Sequence, residues 1–527
     1  MSSFYLKSTI KVEPLVWRWY AWPHLISPIT AACNIVDRHL KIMRSYVQNP
    51  RIHAQAVNDP QMLGGPFLDL EGLKINEIKE LIESTNISCK KLIELNKAIK
   101  EADLCLQEAK GGSLEDWYQL VPNMLRGYVE LVYDLNSQPA LRFIEPLIYK
   151  TYYDEQAQEI AISNISSDFR KFVLSTPRLD NEEEIYLKIP FSDEKLDFLF
   201  SLKTNPCEIK DVINIFNIPN NKQDLFKSFF TDVSINRRHD NNYLGDGIRI
   251  RYFGHACILI QTKDISILFD PVISYSVASD VPRYTFDDLP DRIDFVIITH
   301  NHQDHLILET LLQLRYKISH IIFPTNQKGF LADPSIKLIL KHTGFRSLIE
   351  LDELDTVPFK DGNIIALPFF GEHSDLNVHA KLAYCINIKD KKLMFAADSN
   401  NLEEFLYDHI HELIGNVDML FVGMECDGAP LTWLYGPLLS RPLSRSFDRS
   451  RQLSGSNFCK AWSIVQKLKC KSAYVYAMGQ EPWLHHIMAL SYAPDSIQMM
   501  ESNKFVSACR SNGIASERLF AKKEWII

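Results

Sequence analysis

The spacing of apolar residues changes character about halfway along the chain. From residue 1 to about 235 they recur every three or four positions, the spacing of one helix face. TAACNIVDRHLKIMRSYVQ (30–48), LKINEIKELIESTNISCKKLIELNKAIKEADLCLQEAK (73–110) and LEDWYQLVPNMLRGYVELVYDL (114–135) are predicted helices on that pattern. IYLKIPFSDEKLDFLFSLK (185–203) reads both ways and leaves room for short strands. RRHDNNYLGDG (237–247) is polar, carries Asn and Gly, and predicts a linker. Beyond it the runs become β-branched and alternating. IRIRYFGHACILIQT (248–262) and DISILFDP (264–271) predict two strands joined by a short turn. RIDFVIIT (292–299), SHIIFP (319–324), NIIALPFF (363–370), KLAYCINI (381–388), KKLMFAAD (391–398) and MLFVGM (419–424) continue the series, with helix-like segments between several of them. The pattern predicts an α/β domain over 248–527 behind a mostly helical N-terminal domain over 1–236.

Composition narrows the class. A chain of 527 residues is too long for one ordinary core, so two domains are expected. Hydrophobic residues at 46% and charged residues at 23% fit a soluble globular protein. A net charge of −9 argues against the broad basic face that nucleic acid requires. The ten cysteines form no CxxC pair, which predicts a reduced cytoplasmic protein. The first residues, MSSFYLKSTIKVEP, lack a basic-then-apolar signal pattern. No apolar run approaches the ~20 residues of a membrane span, so no membrane partner is expected.

The chemistry concentrates in IITHNHQDHL (297–306). His300 and His302 are two apart and share one face of an extended strand end. Asp304 and His305 follow at the start of the next helix and can point back into the same space. Two histidines for one metal, with Asp and His for a neighbour, is a natural division. The bland alternative is a His-rich polar loop that caps a helix. His24, His39 and His53 stand apart in the N-terminal half and read as ordinary histidines.

This HxHxDH motif, preceded by GHA (254–256) and FDP (269–271), resembles the metallo-β-lactamase fold over about residues 248–490. The resemblance implies an αββα sandwich with a dinuclear metal site at one edge. It matches Asp270 to an early structural aspartate and His255 to a GHA strand, and both read as fold-supporting rather than catalytic. Further ligands are expected from later strand ends. LPFFGEHSD (367–375) offers Glu372 and His373, which point opposite ways in extended chain, so one of the two is a ligand. Asp398, in FAADSN, corresponds to the carboxylate that bridges both metals in the fold, a helix N-cap being its other reading. The distant histidine falls on His485 or His486 in GQEPWLHHIMAL (479–490), with His486 favoured.

If Glu372 takes the third histidine's place, the site holds Asp304, Glu372 and Asp398 with four histidines. Hard oxygen donors suit iron, and paired iron in carboxylate–histidine sites is the usual apparatus for activating O2. The combination is similar to the di-iron amino-acid β-hydroxylases of chloramphenicol and nonribosomal peptide biosynthesis. The blocks GMECDGAPLTWLYGPLLSRPLSRSFDRSRQLSGSNF (423–458) and MGQEPWLHH (478–486) extend that resemblance over nearly the whole chain. It implies a cytoplasmic monooxygenase with two iron ions and O2 as co-substrate. The substrate would be an amino acid held as a thioester on a peptidyl carrier protein, with electrons from an external donor and a homodimer as the assembly. The N-terminal domain would then serve dimerisation or substrate access. Carried over, His300, His302 and Glu372 hold one iron, Asp304, His305 and His486 the other, and Asp398 lies between them. Glu425, in GMECDG, matches a carboxylate near the cluster that would move a proton, a buried salt-bridge partner being the alternative. The competing function is a dizinc hydrolase of an ester, lactone or phosphodiester, acting through metal-bound hydroxide with His373 as the third nitrogen ligand.

Two other features stand out. Arg441, Arg445 and Arg449 are four apart, so a helix would stack them on one face; Arg451 follows. Such a row suits an anionic partner, a phosphopantetheine phosphate or an acidic carrier-protein helix, as well as it suits a solvated face. VEPLVWRWYAWPH (12–24) has the aromatic load of a domain or dimer contact, while Trp433, Tyr435 and Trp483 read as core.

Overall fold

Two seven-stranded sheets packed face to face form the C-terminal half. The computed structural model describes residues 3–233 and 241–527. The first sheet runs Leu348–Leu351, Ile318–Pro324, Ile293–Ile297, Ser266–Phe269, Cys257–Gln261, Arg249–Gly254 and Lys523–Ile526. Its first four strands pair in parallel, and antiparallel pairing builds the other edge. The second sheet runs Thr356–Phe359, Gly362–Leu367, Ala383–Ile388, Lys391–Phe395, Met419–Gly423, Ser472–Tyr476 and Ala515–Arg518. Strands buried on both faces read as near-continuous apolar runs, as Met419–Gly423 does. Between the sheets Ile258, Ile260 and Phe269 meet Ile386, Leu393 and Phe395. The Phe269 and Phe395 rings stack at 4.0 Å.

Helices cover both outer faces. Phe405–Ile414, Phe458–Lys467 and Ile497–Ser511 pack on the second sheet. Leu308–Leu314 and Ile336–His342 pack on the first, joined by apolar residues of the N-terminal half. The result is the expected αββα sandwich. One detail differs: 248–262 is not a single strand. It reverses at Gly254, whose φ of +110° few side chains allow, and at His255, whose φ is +52°. The reversal makes Arg249–Gly254 and Cys257–Gln261 partners in a hairpin.

In the N-terminal half the predicted helices over 30–48 and 73–110 are present. The first runs through Pro28–Asn34, a π-helical turn at Ile35–Leu40 and Lys41–Gln48. The second is Ile75–Ser88 followed by Lys90–Leu106. The segment 114–135 is not a helix. Only Asp116–Leu120 coils, as a 3-10 turn, and Val129–Tyr133 pairs as a strand with Pro139–Phe143. VELVY alternates, and the Asp134 carboxylate accepts from the Asn136 and Gln138 amides at 2.9 and 2.7 Å, closing the hairpin. The ambiguous 185–203 holds both elements, the strand Ile185–Leu187 and the helix Glu194–Ser201 capped by Asp193. Ile10–Val16 lies between Trp19–Tyr20 and Gln158–Asn164 in a four-stranded sheet. Its aromatic neighbourhood is buried within this chain, with Trp19 stacked on His39 at 3.7 Å. Of the expected linker, residues 237–240 lie outside the described residues, and 241–247 form no helix or strand.

A buried ionic network ties the halves together. Glu13, fully buried, accepts from Arg170 at 2.5 Å and from Arg178 at 2.9 Å. Arg170 also donates to Glu309 at 2.7 Å, and Tyr275 donates to Glu309 at the same distance. Glu13 is neutralised within its own half, and the crossing pair is Arg170 with Glu309.

Candidate metal centre

The site forms where Ile293–Ile297 ends and the chain turns before the helix Leu308–Leu314. Asp304 and His305 lie in that turn, ahead of the helix rather than on its first turn. Asp270, one residue past Ser266–Phe269, fixes the backbone and two rings. It accepts from the Thr299 amide at 2.8 Å and from the Thr299 hydroxyl at 2.7 Å. With its proton committed to Asp270, the Thr299 hydroxyl accepts from His300 Nδ1 at 3.0 Å. His305 Nδ1 lies 2.9 Å from Asp270 Oδ2. Both rings are thereby tied down at Nδ1 and turn Nε2 into the site, the usual device for orienting a metal-binding histidine. His302 presents its other nitrogen: Nε2 meets the Tyr435 hydroxyl at 3.0 Å, and Nδ1 faces Glu372 Oε1 at 3.0 Å.

Three groups of donor atoms result: His300, His302 and Glu372; His300, His305 and Asp398; and His255, Asp304 and His305. His305 Nε2 is 2.9 Å from Asp398 Oδ2 and 3.5 Å from Asp304 Oδ2. All seven side chains are buried. Glu372 enters the site while His373 lies behind it, with Nδ1 2.9 Å from Glu372 Oε2. They are not alternating residues of a strand. Glu372 has φ +66° and Ser374 φ +53°, so the loop coils and aims the carboxylate inward. His373 belongs to none of the donor groups, against the hydrolase alternative. Asp398 is no N-cap; the next helix starts at Phe405.

The structure does not bring His486 to this cluster. The helix His485–Met488 turns its ring toward the N-terminal half. There it meets Tyr20 edge-on at 6.1 Å and lines a small cavity with Arg170, Tyr275 and Glu309. The histidine beside Asp304 is instead His255, whose Nε2 is 3.1 Å from Asp304 Oδ2. The resemblance read His255 as a fold-supporting residue; the left-handed turn at Gly254–His255 swings it into the site. Its signal in the sequence was the interruption of strand alternation at GHA. Tyr435 and Gly423 were also missed. Gly423 leaves room that a Cβ would take, at 2.6 Å from Asp398 Oδ1.

Charge explains the cluster's state. Burial lowers the pKa of His305, but Asp398, Asp304 and Asp270 outweigh it and raise the imidazole well above its ordinary value. Burial would raise the Glu372 carboxyl, yet His302 and His373 hold it well below the usual carboxylate range. Glu425, at the edge, goes the other way. Burial first, then Asp398, pushes its carboxyl up to about 8. His300 Nε2 and Asp398 Oδ1 are buried with no hydrogen-bond partner. Three carboxylates facing the inward nitrogens of His300, His302 and His305, with His300 Nε2 and Asp398 Oδ1 left without a partner, fit a pair of cations with oxygen-rich coordination.

The cluster opens into a cleft of about 270 Å³ lined by His302, Asp304, Glu372, Asp398 and Glu425 on one side and Trp433, Met488 and Leu490 on the other. Gly64, Pro430 and Trp433 also line a second, outer cavity of about 550 Å³. Its other walls include Arg38, Lys41 and Phe172 from the N-terminal half. Trp433 is therefore cleft wall rather than core. Its indole donates to the Gly64 carbonyl at 3.0 Å, and Arg38 donates to its own carbonyl at 2.6 Å.

Comparison with known proteins agrees with this geometry. Residues 5–233 match the diiron non-heme β-hydroxylase N-terminal domain, and residues 266–429 match the β-lactamase superfamily domain. The 4-amino-L-phenylalanyl-[CmlP-peptidyl-carrier-protein] 3-hydroxylase of Streptomyces venezuelae is 36% identical, over 98% of this chain and 98% of its own. The crystal structure of CmlA, a diiron β-hydroxylase from the same organism, superposes with a TM-score of 0.93 at 35% identity and covers both chains completely. A UPF0173 protein of Pyrococcus abyssi is 27% identical over 33% of this chain and 69% of its own. With a match of this extent on both halves, and a carboxylate-rich cluster where the sandwich places its metals, the chain belongs to the diiron β-hydroxylase family.

Proposed function

We propose that this chain is an O2-dependent di-iron monooxygenase that hydroxylates the β-carbon of an amino acid tethered as a thioester to a peptidyl carrier protein. The observation that carries this reading is Glu372 standing with His300 and His302, where it makes the cluster rich in oxygen donors. His300, His302 and Glu372 would hold one iron, Asp304 and His305 the other, with Asp398 between them. His255 would hold Asp304 in place. Bound iron supplies O2 activation and the one-electron chemistry that breaks a C–H bond; electrons come from an external donor. The division at 1–236 and 248–527 reads as an access half and a catalytic half. All ten cysteines are free, which suits a reducing cytoplasm. Among the described residues no helix is long and apolar enough to cross a membrane.

The protein's own groups position and shield. Asp270 and Thr299 tie down His300 and His305 at Nδ1, and Tyr435 anchors His302. Trp433, Met488 and Leu490 give the cleft an apolar wall that orients an acyl chain against the carboxylates and limits water. Glu425, carrying its proton at neutral pH, holds that proton at the cleft edge, where it can be given to an oxygen atom. The test is direct. Purified chain, loaded with iron and supplied with reductant and O2, should add one oxygen atom to a carrier-bound aminoacyl thioester, seen by mass spectrometry of the intact carrier. Thioester hydrolysis without oxygen incorporation would overturn the reading.

A further inference from the structure

The segment that walls the cleft continues outward into a basic face. After Leu431–Tyr435, residues Gly436 and Pro437 line the outer cavity, and the chain then reaches Arg441 and the short helix Arg445–Ser450. The helix is shorter than the arginine spacing suggested, so it carries Arg445 and Arg449 while Arg441 precedes it. All three arginines are exposed. Among the described residues none of them makes an ion pair, whereas Asp448 is spent on Thr432, accepting from its amide at 2.9 Å and its hydroxyl at 2.7 Å. Thr432 itself lines the outer cavity. The basic helix is thus clamped to the cavity wall by the one acid it contains. Arg451 secures the far end by donating to the Ser374 carbonyl at 2.9 Å, two residues from Glu372. Phe447, between the arginines, is 64% exposed.

Unpaired guanidinium groups around an exposed aromatic, on a chain of net charge −9, make a local field opposite to the molecule's own. Arginine and aromatic residues are the types enriched where proteins bind one another. We infer that Arg441, Arg445, Arg449 and Phe447 form the docking surface for the carrier protein, gripping acidic side chains of its surface while its arm enters the outer cavity and passes Trp433 toward the cluster. This inference rests on the carrier-bound substrate proposed above. The spread of three cations along a segment suits a row of carboxylates better than the single phosphodiester of the arm.

The experiment uses the full chain and the CmlP peptidyl carrier protein, fluorescently labelled, in its apo form and loaded with 4-amino-L-phenylalanine. Anisotropy should show binding that weakens with salt, equally for both forms. R441E/R445E/R449E should weaken it by about tenfold or more at low salt, as removal of rim charges that steer association does. The lysine triple variant should keep most of the binding, and F447A should weaken it without changing the salt dependence. Iron content and melting temperature should not move in any of them. Binding indifferent to the charge reversal, binding only of the armed carrier, or no binding by the unaltered chain would each overturn the inference. Binding with the expected salt dependence but no hydroxylation would leave the docking surface standing and sink the proposed reaction.

Discussion

At the scale of single residues, His255 and His486 exchange the parts their sequence neighbourhoods suggest. His255 touches Asp304, while His486 faces Tyr20 and the Glu13 network. A side chain that orients a ligand typically changes metal affinity by about 10- to 100-fold when removed. His255→Ala should therefore lower iron affinity at the Asp304–His305 position by that order, leaving about one tightly held iron per chain by elemental analysis. His486→Ala should keep both irons and lose only packing; loss of metal in that variant would return His486 to the ligand set. Glu372→Gln keeps the shape and removes the charge. It should empty the His300–His302 position first and abolish oxygen incorporation, and full activity in it would sink the assignment of Glu372.

The elements show why some of the site was legible and some was not. HxHxDH is local: four donors within six positions at a strand end need no knowledge of pairing to be read together. Asp398 was legible through its match to the bridging carboxylate of the resembled fold, three residues past the strand Lys391–Phe395. The distant histidine was not, because its register depends on how a whole helix is turned, and sequence spacing across the fold says nothing of that. The hairpin Val129–Tyr133 with Pro139–Phe143 was lost because apolar residues of an alternating strand also fall at helical intervals over a short window. Gly423 exposes an element-level constraint. It ends the strand Met419–Gly423 beneath Asp398, and a Cβ there would meet Asp398 Oδ1 at 2.6 Å and the Ala397 carbonyl at 2.8 Å. Gly423→Ala should push the Asp398 loop off the cluster. The expected cost is about 1–3 kcal/mol in denaturant unfolding of the metal-free protein, together with loss of the iron that Asp398 shares. An unchanged iron content would show that the loop yields without consequence.

For the whole molecule the decisive ionic contact is Arg170, which pairs with Glu13 of its own half and with Glu309 of the other. Burial would raise the Glu13 carboxyl, but Arg178, Lys11 and Arg170 together hold it well below the usual carboxylate range. The folded state therefore binds that proton less readily than the unfolded chain, whose glutamate titrates near ~4.3. The stability this supplies is complete above the unfolded value and is lost as pH falls through the lower folded value. Acid should thus loosen the N-terminal half before it melts the sandwich, whose core between the sheets is apolar. Glu13→Gln leaves Arg170 and Arg178 buried with their main carboxylate gone, and should cost about 3–5 kcal/mol at neutral pH. Its unfolding free energy should also fall less steeply than the unaltered chain's between neutrality and strong acid, since the titrating group is absent. Parallel pH profiles for the two proteins would mean that some other carboxylate governs the acid response of the N-terminal half.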